Sequence, residues 1–84
     1  MPVLSSFYDI TITMYFRQVE HNPPHIHAKY GNDSVVIGVR DLKILEGNLP
    51  PRALLMVKEW MVIHRDKLLE MWETQKFEKI APLD

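Results

Sequence analysis

The chain has 84 residues and a mass of 9.9 kDa, with 46% hydrophobic and 25% charged residues; this is a globular balance that excludes a disordered tail or a coiled-coil rod. Ten Lys and Arg against eleven Asp and Glu leave a net charge of −1, so no long-range positive field draws the chain to phosphate or anionic lipid. Cysteine is absent, which rules out disulfides, thiolate catalysis and a cysteine-ligated metal site.

Residues 1–84 are expected to form a single domain, because a typical domain already occupies roughly 100–200 residues. The opening Met-Pro-Val-Leu-Ser-Ser lacks the basic segment and apolar stretch of a secretory signal. No apolar run reaches the roughly eighteen residues of a bilayer span, so a cytoplasmic location without membrane attachment is expected.

From Tyr8 to Phe16 apolar and polar residues alternate, with Tyr8, Ile10, Ile12, Met14 and Phe16 on one side. This is the pattern of a half-buried strand. A polar stretch follows, closed by Pro23 and Pro24, which fix φ and supply no N–H, so the loop is stiff and stays out of any ladder. His25 to Tyr30 and Asp33 to Val39 flank Gly31-Asn32, a two-residue loop suited to positive φ and hence to a tight hairpin. Counting outward from that loop pairs Tyr30 with Asp33, Ala28 with Val35, His27 with Val36, Ile26 with Ile37 and His25 with Gly38. One face then carries Ile26, Ala28, Val35 and Ile37, and the other His25, His27, Lys29, Ser34 and Val36. A further strand is predicted from Leu42 to Glu46, after a turn at Arg40-Asp41 and before Gly47.

Pro50-Pro51 suits the first turn of a helix, where a missing N–H has no partner to lose. From Ala53 to about Gln75, Leu54, Val57, Met61, His64, Leu68 and Met71 recur in steps of three and four, widened by Trp60 and Trp72, which marks a core-facing helix. Phe77 to Leu83 is read as a short edge strand or a frayed end. The predicted fold class is α+β: a small antiparallel meander of three or four strands with one long C-terminal helix packed on one face.

Three of the four histidines fall within His21-Asn-Pro-Pro-His25-Ile-His27. Two positions along a strand span about 6.6 Å on one side, so His25 and His27 can converge on one ion, with His21 as a third ligand and Glu20 or Asp33 as carboxylate partners. A divalent metal such as zinc is the cofactor this reading implies. The same pair suits proton transfer without metal: neighbouring imidazoles repel when both are charged and divide into an acid and a base. Phosphodiester cleavage would then use His25 and His27 as catalytic residues, Arg17 or Lys29 to hold phosphate, and Tyr15 and Tyr30 to stack on bases. The alternative is an ordinary exposed strand beside a proline turn. His64, inside the apolar stripe, is read as a partly buried core residue hydrogen-bonded through one nitrogen.

The segments Ile12-Thr-Met-Tyr-Phe16, His21-Asn-Pro-Pro-His25-Ile-His27-Ala-Lys-Tyr30, Leu45-Glu-Gly-Asn-Leu-Pro-Pro-Arg-Ala-Leu54 and Glu59-Trp60 through His64-Arg-Asp-Lys-Leu68 together resemble the bacterial family catalogued as domain of unknown function 4160. The resemblance covers nearly the whole chain. It implies a short stand-alone protein encoded beside another small protein, as in toxin–antitoxin pairs, and marks His21, His25, His27, Arg52 and His64 as positions to test. No reaction transfers with it. The functional expectation is a toxin–antitoxin-like module whose histidine face binds a partner protein or RNA, with a metal-free ribonuclease or a metal-binding domain as alternatives. A homodimer that buries the second sheet face is also expected, because small domains gain stability from such burial.

Overall fold

The computed structural model describes residues 3–15 and 23–84. Among these the elements are β1 (Val3–Phe7), β2 (Ile10–Thr13), β3 (His25–Tyr30), β4 (Asp33–Gly38), β5 (Ile44–Gly47) and α1 (Pro51–Thr74). The strands form one antiparallel sheet in chain order. The α+β architecture stands, with five strands among the described residues in place of the three or four predicted.

The additional strand is β1, and the expected strand from Tyr8 to Phe16 needs correction at both ends, since β2 runs only from Ile10 to Thr13 and Met14 and Tyr15 lie beyond it. Tyr8 and Asp9 take φ of 49° and 65° and make the turn of a hairpin in which Phe7 pairs with Ile10. Two-residue hairpins require such left-handed residues, and glycine or asparagine usually announces them. Here neither is present, so alternation ran unbroken through a turn. Phe16 lies outside the described residues. The β3–β4 hairpin has every pairing counted from Gly31-Asn32, and Gly31 has a φ of 61°. In β5 the strand begins at Ile44, two residues later than expected, because Leu42 sits in a turn at φ 58°.

α1 covers the face bearing Ile10, Ile12, Ile26, Ala28, Val35 and Ile37, and buries Val57, Trp60, Met61, Leu68, Met71 and Trp72 against it. Burying one such side chain contributes about 1.5–3 kcal/mol, so this layer dominates the stability of the domain. The helix starts with Pro51 at its first positions. It ends at Gln75, whose left-handed φ of 60° lets its N–H donate to the Met71 carbonyl. His64 departs from helical geometry at φ −109° and ψ 16°, which kinks the helix between its two halves.

The C-terminal tail is neither a regular strand nor frayed. Phe77, Ile80 and Leu83 pack on the core. The Ile80 N–H donates to the Leu4 carbonyl at 2.7 Å and the Trp60 indole N–H to the Ala81 carbonyl at 2.9 Å. The tail therefore lies along β1, where a bulge between Val3 and Ser5 frees the Leu4 carbonyl from β2.

Candidate functional site

The face of the sheet turned away from α1 is crossed by one continuous row of side chains. Val3 pairs with Thr13, Thr13 with His27, His27 with Val36, and Val36 with Glu46, so the row touches every strand from β1 to β5. Paired strands lie about 4.8 Å apart, which brings these side chains into lateral contact. A second row, Thr11, Lys29 and Ser34, runs beside it. Val3, Thr13 and His27 of the first row, the whole of the second row and Tyr15 line a shallow depression of about 500 Å³.

His25 and His27 share this side because they are two positions apart on β3, and their ring centroids are 5.3 Å apart. His27 packs against Tyr15 at 4.2 Å and His25 against Trp72 at 4.9 Å. Four rings thus follow one another in the order Tyr15, His27, His25, Trp72. The hairpin register alone does not foresee the last contact: His25 and His27 project from the side that α1 leaves open, yet the final turn of α1 reaches round the end of β3 to His25. Gly38, opposite His25, contributes no side chain there.

The double proline fixes His25. The Pro24 carbonyl accepts the Val39 N–H at 2.8 Å, which anchors the corner to β4. The Pro23 carbonyl lies 2.8 Å from His25 Nδ1. A carbonyl can only accept, so Nδ1 carries the proton and a neutral His25 presents Nε2 as its free acceptor. His27 is half-buried. Desolvation holds its pKa below the ordinary imidazole value, repulsion from His25 adds to this, and the carboxylate of Glu46 opposes it. Glu46 escaped sequence reasoning because its place in the row depends on how β5 registers on β4. That its charge reaches His27 across β4 follows only once that pairing is known.

The remaining proposed positions separate. Lys29 lies exposed on the open face next to His27. Tyr30 lies on the helix side, paired with Ile10. With Arg52, Tyr8, Pro50, Ala53 and Met56 it lines a smaller hollow of about 220 Å³ at the start of α1. Tyr30 and Arg52 therefore do not join His25 and His27, and Tyr30 cannot stack on a base held by Tyr15. Alternation puts Tyr30 opposite to Lys29, a consequence of strand period that the grouping by sequence proximity overlooked. His64 is half-buried with its ring 5.1 Å from Trp60; that ring takes the place of the expected hydrogen bond among the described residues. No ring contact there links it to His25 or His27. Arg17 and His21 lie outside the described residues. Among those described, no three His, Asp or Glu side chains are grouped to hold a metal ion, so the pair by itself supplies two imidazole ligands. No helix among them is long and apolar enough to cross a membrane.

A family model, Domain of unknown function (DUF4160), matches residues 9–73. The chain belongs to this family. The match spans β2 to the end of α1 and so contains the histidine pair, the double proline and Glu46. No curated protein and no solved structure matches the chain.

Proposed function

We propose that this member of the domain of unknown function 4160 family is a cytoplasmic binding module of the toxin–antitoxin type, whose open sheet face docks a small partner protein encoded beside it. The observation that carries this reading is the row from Val3 to Glu46 on the side of the sheet that α1 leaves open, with the Tyr15 ring packed against His27. Protein interfaces place apolar and aromatic groups at the centre and few charges among them. This face is largely of that make-up: valine, threonine, tyrosine and an imidazole held toward neutrality, with one exposed lysine, Lys29, beside His27 and the opposite charge of Glu46 at the β5 edge. An RNA surface would instead carry clustered positive charge, and the chain's net charge is −1.

Co-expression of the two adjacent proteins and size-exclusion chromatography tests it. A single co-eluting complex is expected, lost when Thr13→Arg places charge within the row, next to His27. Independent migration of both proteins at micromolar concentration refutes the reading.

A second reading, phosphodiester hydrolysis, draws on the His25–His27 separation of 5.3 Å and on the lowered His27 pKa. A lowered pKa keeps the His27 imidazole available as a proton acceptor beside the His25 ring. Wild type and His25→Ala are incubated with mixed RNA from about pH 5 to 8, the range in which imidazole titrates. Cleavage by wild type alone supports this reading; equal cleavage, or none by either, removes it.

A further inference from the structure

The outer face of α1 carries a second apolar stripe that neither the core nor the open sheet face uses. Leu55, Val62 and Ile63 are 59%, 56% and 65% exposed. At about 100° per residue they lie together on the side opposite Val57, Trp60 and Met61. Glu59 sits between them, with Arg52 toward the helix start and Asp66 toward its end. Burial keeps its period through the kink at His64, since Leu68, Met71 and Trp72 remain inward, and Asp66 therefore stays on the outer stripe.

Four of these residues are placed symmetrically about Glu59, Val62 being the exception. Leu55 precedes it by four positions and Ile63 follows by four; Arg52 precedes it by seven and Asp66 follows by seven. At 1.5 Å per residue these offsets are about 6 Å and about 10.5 Å along the axis. An antiparallel copy with its two-fold axis at Glu59 sets Leu55 on Ile63 and Arg52 on Asp66 at both ends, a self-complementary contact of the kind closed dimers use. A parallel copy would set Arg52 on Arg52. A lipid surface fits poorly, because anionic headgroups would face Glu59 and Asp66.

We propose that the outer face of α1 binds a second copy of this chain in antiparallel two-fold contact, leaving the histidine face free. It is not the homodimer expected from sequence, which buried the sheet. Three apolar side chains per copy give an interface below the roughly 1,200 Å² of stable complexes, so association belongs in the upper micromolar range. The two Glu59 carboxylates meet at the axis and weaken it.

Sedimentation equilibrium of the full chain, at concentrations from about 10 μM to 1 mM to bracket that affinity, tests the proposal, with circular dichroism confirming that each variant is folded. Wild type is expected to pass from monomer to dimer. Arg52→Asp and Asp66→Arg each weaken association by about ten-fold, the two together restore it, and Glu59→Gln tightens it. A monomer at every concentration overturns the proposal. So does a dimer indifferent to Val62→Glu, a double reversal weaker than either single one, or a dimer broken by Thr13→Arg, which would move the contact to the sheet. The first three of these results leave the partner-binding reading untouched, because it rests on the opposite side of the molecule, whereas a dimer broken by Thr13→Arg would put a second copy on the sheet face which that reading gives to the partner.

Discussion

Gly31 and Gly47 have nearly the same left-handed backbone, with φ of 61° and 71°, yet alanine at the two positions is expected to behave very differently. A Cβ at Gly31 would meet no atom within 4 Å, so Gly31→Ala carries the left-handed penalty alone, about 1–2 kcal/mol. At Gly47 the same Cβ would overlap the Ser34 carbonyl oxygen, with the Ser34 carbonyl carbon 3.2 Å away. Both are backbone atoms of β4 and cannot swing aside. Relief requires β5 to move off β4, which breaks the hydrogen bond that the Asn48 N–H donates to that same carbonyl at 3.0 Å. Adding about 1 kcal/mol for the lost bond and about 1–2 kcal/mol for overpacking places Gly47→Ala at about 3–5 kcal/mol. Stability for 84 residues is about 4–13 kcal/mol at typical per-residue values, and 1 kcal/mol shifts the midpoint by about 4–8 °C. Gly31→Ala should melt about 4–16 °C below wild type and Gly47→Ala at least about 12 °C below it, with the larger loss always at Gly47. Moving β5 also withdraws Glu46 from His27, and the loss of that negative charge lowers the His27 pKa further. Thermal unfolding by circular dichroism gives the first quantity and imidazole resonances followed against pH give the second. Equal midpoints for the two variants, or an unmoved His27 titration in Gly47→Ala, would refute the placement of β5.

Trp60→Phe keeps a ring in the core and removes the indole donor to Ala81; it is expected to cost about 1 kcal/mol and to speed hydrogen exchange at the Ile80 amide, whereas unchanged exchange there would show that the tail is held independently. His27 binds its proton more weakly in the folded chain than in the unfolded one, so unfolding takes up a proton as pH falls. Its contribution is full above about pH 6.5 and is lost as pH drops through the window below that value. His27→Gln should flatten this part of the pH–stability profile, and a wild-type profile already flat there would contradict the burial described. Lys67 bridges Glu70 at 3.2 Å and Glu78 at 2.7 Å in exposed positions. Lys67→Met is therefore expected to leave the melting temperature within error of wild type, and a fall as large as that of Trp60→Phe would assign the Glu78 bridge a part in holding the tail.

Much of this architecture is written in local chemistry. Gly31-Asn32 specifies a turn whose strand register follows by counting, so the placement of His25 and His27 on one face of β3 required no knowledge of the rest of the chain. The Pro50-Pro51 start and the three-and-four spacing from Leu54 to Met71 similarly specify α1 and its buried side. Local rules fail where positive φ is taken up by residues that do not advertise it. Tyr8 and Leu42 do so here, which concealed β1 and delayed β5, because what holds them there, the Phe7–Ile10 pairing around the turn and the hydrogen bond from the Leu42 N–H to the Gly38 carbonyl, is not a preference of their own side chains.

Neighbours along the chain thus settle the class of fold, the hairpin register, the buried stripe of the helix and the pairing of two imidazoles on one strand. All of these depend on periodicity and turn geometry within a few residues. Tertiary structure alone decided that Glu46 flanks His27, that Trp72 closes over His25, and that Tyr30 and Arg52 form a separate hollow. Those relations join residues distant in the chain, and they are fixed by how strands register on one another and where the helix crosses them.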